Sequence, residues 1–140
     1  MAVSNSTGTV LENARLETPI ITHQTVASIP ATATATAAEV ATGYIVCTSA
    51  AATTITLPTG TLLGTALQAV RGTVHNLFID NTGGANTVTI AVATNGILST
   101  AAADTAGSFG DLTVASGVTG LARYTLMFSS PTAYVFTRTA

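Results

Sequence analysis

Alternation of apolar and polar side chains constrains this sequence more than any other feature. From Asn86 to Thr94, Val88, Ile90 and Val92 fall at every second position, with Thr and Ala between them. A period of two puts those three side chains on one face of an extended strand and leaves the other face polar or small. The same pattern recurs at Thr54–Leu57, with Ile55 and Leu57 on one side. It returns at Arg123–Phe128, with Tyr124, Leu126 and Phe128 together, and in Tyr134 and Phe136. Each stretch reads as a half-buried antiparallel strand.

Turn residues fall where these stretches stop. Asp80–Asn86 carries consecutive glycines, Gly83 and Gly84, between two strong strands; glycine adopts positive φ at little cost. Asn95-Gly96 is a strong hairpin dipeptide. Ser129-Ser130-Pro131-Thr132 is short enough to make the last two strands a C-terminal hairpin. Strands recurring every 10–15 residues or so with such turns predict an all-β chain: an antiparallel β-sandwich or a small barrel, with a jelly roll among the permitted topologies. Between Thr61 and Val70, the spacing of Leu62, Leu63, Ala66, Leu67 and Val70 suits two helical turns. Gly60 and Gly64 favour an irregular crossover over that helix. Residues 99–111, rich in Ala, Gly and Asp, read as a surface loop.

The first 40 residues have a different character. They hold Pro19, Pro30 and the tract Ala31–Ala38 of Ala and Thr, whose small side chains would bury little even as a strand. The division is therefore residues 1–40 as an extended N-terminal arm and residues 41–140 as the β-domain. The arm would gain order by lying on a neighbour, with Ile20, Ile21, Val26 and Ile29 as its partner-binding anchors. The start of the chain shows neither the basic nor the apolar region of a signal peptide, and no window reaches the ~18–20 apolar residues of a membrane span. The sequence predicts no membrane partner.

Charge narrows the function. Only 7% of the 140 residues are charged and none is Lys, against roughly 25% charged in an average soluble domain. Phosphate backbones are bound by clustered Lys and Arg, and Arg15, Arg71, Arg123 and Arg138 are scattered in a chain of net charge −2. Nucleic acid is not an expected partner. A GC-rich coding bias accounts for the same skew, but low charge also leaves a surface inclined to settle against other proteins.

Chemistry has little to work with. His75 and Asp80 could be drawn into a Ser-His-Asp arrangement, yet no G-x-S-x-G elbow presents a serine, and their odd separation puts them on opposite faces of a strand. His75 is expected to meet a backbone carbonyl or solvent. Asp104 and Asp111 share a loop but lack calcium-loop spacing. Single Cys47, within an apolar run, reads as a small buried hydrophobe. Tyr44, Tyr124 and Tyr134 could line a sugar-binding surface, though their setting favours core or subunit packing. Arg123 and Arg138 fall outside the inward sets and are candidates for partner contacts. The reading assigns no catalytic residue, cofactor or metal, and no enzyme activity.

The stretch from Tyr44 to Ile97 includes Thr54-Ile55-Thr56-Leu57-Pro58, then Leu77-Phe78-Ile79-Asp80-Asn81, then Thr87-Val88-Thr89-Ile90. That order, with the closing hairpin Arg123–Phe136, resembles β-modules of tailed-bacteriophage virion proteins, and among these the chain is most similar to capsid decoration, or cement, proteins. The resemblance implies a structural virion protein on the outer capsid surface. It would bind the major capsid protein, bridge capsid subunits to stabilise the shell, and act as a homotrimer. The alternative is a receptor- or glycan-binding module of a head or tail fibre, with loops 81–86 and 99–111 as its recognition end.

Overall fold

In the computed structural model of the protein, residues 25–98 and 112–140 are described. The chain runs β1 (Ala27–Ser28), β2 (Ala33–Thr34), α1 (Ala37–Ala41), β3 (Tyr44–Val46), β4 (Thr53–Leu57), α2 (Gly60–Ala66), β5 (Val74–Asp80), β6 (Val88–Val92), β7 (Gly96–Leu98), β8 (Thr113–Val114), a 3₁₀ turn (Gly117–Thr119), β9 (Leu121–Ser130) and β10 (Ala133–Arg138). The strands form two sheets, six-stranded in the order β1-β3-β5-β9-β10-β7 and four-stranded in the order β2-β4-β6-β8.

Successive strands up to β9 alternate between the sheets. From β1 to β6 each strand lies beside the one two places on, which runs the same way, so β1, β3 and β5 are parallel, as are β2, β4 and β6. Antiparallel pairing is confined to β5 with β9, β9 with β10, and β6 with β8. The expected all-antiparallel arrangement is thus corrected to two mixed sheets. The physical reason is visible in the connections, which cross from sheet to sheet and stack on one another. Ala85 donates its N–H to the Ser49 carbonyl (3.1 Å), and the Asn86 Nδ2 donates to the Ala50 carbonyl (2.5 Å). The Asp80–Asn86 turn joins β5 to β6 without pairing them. Asn95, at φ 64°, likewise turns the chain from β6 into β7 of the other sheet. Among the described residues only Pro131-Thr132 closes a hairpin of adjacent strands, β9 with β10.

The inward sets read from the alternation hold. Ile55, Leu57, Val88 and Ile90 of the smaller sheet join Tyr124, Leu126, Phe128, Tyr134 and Phe136 of the larger one in a single apolar cluster. The rings of Tyr124 and Phe136 stack with centroids 4.6 Å apart, and those of Phe128 and Tyr134 meet at 5.7 Å. The Tyr134 hydroxyl, buried with its ring, donates to the Pro58 carbonyl (2.9 Å), and burial pushes its pKa well up.

Residues 27–40, part of the arm expected over 1–40, contribute four side chains to this core and pair with both sheets. Ile29 donates its N–H to Val46 (2.9 Å) and Ala35 to Thr56 (2.8 Å), while Ala27, Ile29, Ala35 and Val40 are buried. The Ala-Thr tract ends in a capping box. The Thr36 hydroxyl accepts from the Glu39 N–H (3.2 Å), and the Glu39 carboxylate accepts from the Thr36 N–H (2.7 Å), which satisfies two otherwise orphaned donors. Gly43, at φ 79°, then turns the chain out of α1 into β3. Residues 1–24, with the rest of the expected arm, lie outside the described residues.

The Thr61–Val70 segment opens with a helix, α2, and not the expected crossover. Thr59 caps it by accepting from the Leu62 N–H (3.3 Å). The two glycines that argued against a helix lie four residues apart on one side of it. A Cβ at Gly64 would collide with the Pro131 carbonyl oxygen and one at Gly60 with that of Thr132, so their absence of side chain lets α2 press on the β9–β10 hairpin. Helix propensity alone would make Gly64→Ala stabilising by up to about 1 kcal/mol. The collision reverses the sign. Urea unfolding of Gly64→Ala should show a loss of about 1–3 kcal/mol, while exposed Thr65→Ala should stay within about 0.5 kcal/mol of the parent.

Candidate interaction surface

A strand that buries one face in the core offers its other face outward, and register decides which outward residues meet. On the six-stranded sheet, Val74 of β5 pairs with Met127 of β9, Met127 with Val135 of β10, and Val135 with Ile97 of β7. Four apolar side chains thus form one continuous row across four strands. Val74, Met127 and Ile97 are 55%, 48% and 52% exposed, and Val135 is half-buried. One step along the strands lies a polar row of Asn76, Thr125 and Thr137, in which the Thr125 hydroxyl donates to the Asn76 side chain (3.2 Å). Beyond it, Tyr44, Phe78 and Arg123 are aligned, with the two rings stacked at 6.1 Å.

The charged groups on and beside this face are engaged within the chain. Arg123 donates through Nε to the Thr139 hydroxyl (3.2 Å), Arg71 through Nε to the Ser129 carbonyl (3.0 Å), and Arg138 through Nη1 to the Thr113 carbonyl (2.8 Å). Arg123 lies off the inward set of β9, as read from the sequence, whereas Arg138, opposite the buried Tyr124, has the inward parity of β10 and reaches the smaller sheet at Thr113. Asp80 accepts from the Thr82 hydroxyl (2.6 Å), the Thr82 N–H (2.9 Å) and the Tyr44 hydroxyl (2.8 Å). The hydrogen bond from the Thr82 hydroxyl, helped by the Thr82 N–H and Tyr44, holds the Asp80 pKa below its usual value against the opposing effect of desolvation. The same carboxylate keeps the proton on Tyr44, whose pKa is raised.

The other residues singled out from sequence fall in separate places. His75 lies on the inner side of β5, its Nε2 hydrogen-bonded to the Val40 carbonyl (2.8 Å), away from Asp80. Cys47 is fully buried, and burial pushes its thiol pKa up. Tyr124 and Tyr134 are core residues, so only Tyr44 reaches the outer face. Of the four arm anchors, Ile29 is buried in the chain's own core and is thereby corrected as a partner contact. Val26 is 56% exposed beside β1, and Ile20 and Ile21 lie outside the described residues, as do Asp104, Asp111 and loop 99–111. In loop 81–86, Asn81 is buried, and its Nδ2 donates to the carbonyls of Asn86 (2.8 Å) and Ala115 (2.9 Å), pinning the turn to the end of β8. A depression of about 310 Å³ lined by residues between Ser28 and Glu39 contains one charged side chain, Glu39, already committed to capping α1.

Among the described residues no cluster of three or more His, Cys, Asp or Glu is placed to hold a metal, and no helix is long and apolar enough to cross a membrane. The chain has no match among models of protein families, curated proteins or solved structures. The outer row is the part sequence reasoning missed. Its signal was apolar residues at outward positions, namely Val74, Met127 and Val135, which break the alternation of their strands.

The Asp80 network makes a pH prediction. Its carboxyl titrates lower when folded than the ~3.9 of an unfolded Asp, so its stabilising contribution is present above that value and is lost as the pH falls through the folded pKa. The stability gap between the parent and Asp80→Asn, measured by urea unfolding, should be constant from about pH 5 to 7 and close as the pH drops below about 4.

Proposed function

We infer that the chain is a structural virion protein that binds the outer surface of a bacteriophage capsid and stabilises the shell by bridging subunits of the major capsid protein. Its two mixed sheets are the layers of a sandwich around one core. The observation that carries the reading is the outer face of the six-stranded sheet, where an uncharged apolar row is flanked by scattered charged groups that hydrogen-bond within the chain. Such a face suits contact with protein better than with phosphate, which asks for clustered cations. The likeness of residues 44–97 and 123–136 to virion β-modules supplies the setting.

Attachment would run through the N-terminal segment, with Ile20, Ile21 and exposed Val26 burying apolar surface against the shell. A protein that binds assembled capsid and not free subunits stabilises the assembly by mass action. The receptor- or glycan-binding alternative draws less support, because Tyr124 and Tyr134 are internal and loop 81–86 is pinned through Asn81.

Removal of residues 1–40 would take Ile29, Ala35 and Val40 out of the core and test folding instead of binding. The informative variants are deletion of residues 1–24 and Val26→Glu, each compared with the parent for occupancy on purified capsids. Both should lower occupancy severalfold with an unchanged circular dichroism spectrum. Unaltered occupancy, or binding to glycans in place of capsids, would count against the reading.

A further inference from the structure

We propose that the apolar row of Val74, Met127, Val135 and Ile97 is a self-association surface that packs face to face against the same row of a second copy of the chain. The inference goes beyond shell attachment and does not depend on it.

Three observations select that occupant. The first is area. Six strands spaced ~4.8 Å apart make a face about 24 Å wide, and β10 and β9, of six and ten residues, run about 20–33 Å. Because β1, β3 and β7 hold only two or three residues each, the face covers about 500 Å², so a pair would bury about 1,000 Å² in all, the least expected of a specific interface. The second is charge. The row carries no ionisable group, and the nearby Arg71, Arg123 and Asp80 are hydrogen-bonded within the chain. A partner with a charged centre would bury that charge unpaired, whereas a second copy brings the same uncharged row.

The third is symmetry. Read across the strands, the row is Val74, Met127, Val135, Ile97. A two-fold axis between Met127 and Val135 sets Met127 against Val135 of the second copy and Val74 against its Ile97, two branched residues of similar size. Isologous contacts require this self-complementarity, and sheets pack face to face at ~10 Å. Growth at the sheet edges is disfavoured, because β1, β2 and β8 have two residues each and β7 three. The expected unit is a two-fold pair, in place of the trimer that the virion resemblance implies.

The test is sedimentation equilibrium of the full chain at 5–200 μM or so, the range over which a modest interface shows itself, beside Met127→Glu and Val118→Glu. Val118 is fully exposed in the 3₁₀ turn before β9 and off the row. The parent and Val118→Glu should approach twice the chain mass, with little change between low and high salt. Met127→Glu should dissociate at least tenfold more readily while keeping the parent's circular dichroism spectrum, since it buries a charge at the centre. To exclude misfolding as the cause, Val135→Thr, which removes apolar contact without adding charge, should weaken the pair to an intermediate degree. A parent that stays monomeric throughout, a threefold species, or a Met127→Glu chain that pairs as tightly as the parent would each overturn the proposal.

Discussion

Both sheets close on the rings that β9 and β10 turn inward. Tyr124, Phe128, Tyr134 and Phe136 are the largest fully or almost fully buried side chains in a protein whose apolar content is mostly small. Burying one such ring stabilises by about 1.5–3 kcal/mol, and ring pairs add about 0.5–1.5 kcal/mol beyond area. The two ring pairs span the β9–β10 hairpin, the one place among the described residues where sequence-adjacent strands are also neighbours in a sheet. Other elements are arranged around it. β5 pairs along β9, β7 along β10, and α2 presses its glycine side on the hairpin turn.

The remaining strands are organised by alternation between sheets. Each crossing puts a new strand beside the one two places earlier, so parallel order accumulates from β1 to β6 with short connections. Helices α1 and α2 sit where the chain passes from the smaller sheet back to the larger, and His75 ties α1 to β5 through the Val40 carbonyl. This explains how residues 27–40 become structural despite their composition. Edge strands of two residues need little side-chain burial when their N–H groups pair with a neighbouring strand.

The outer face follows from the same register. Once β5, β9, β10 and β7 are aligned, apolar residues at outward positions in four separate strands become one row. Val74, Met127 and Val135 were visible in the sequence as breaks in alternation; Met127, between Leu126 and Phe128, is the clearest. Nothing local says that Ile97, 38 residues earlier in the chain, would stand beside Val135. The capping box Thr36-x-x-Glu39 was equally present in the sequence and would have turned the Ala-Thr tract from an arm into a helix entry.

The sequence by itself determined that the chain is built of strands, which side chains face inward, and where the closing hairpin turns, because those properties depend on spacing along a few residues. Tertiary structure alone decided which strands are neighbours and in what direction, that the glycines of α2 mark a contact and not a break, and that scattered apolar residues share a surface. Those outcomes depend on how connections cross between layers. That is a long-range competition among pairings that period-two stretches of similar composition satisfy about equally well, until a common core selects one.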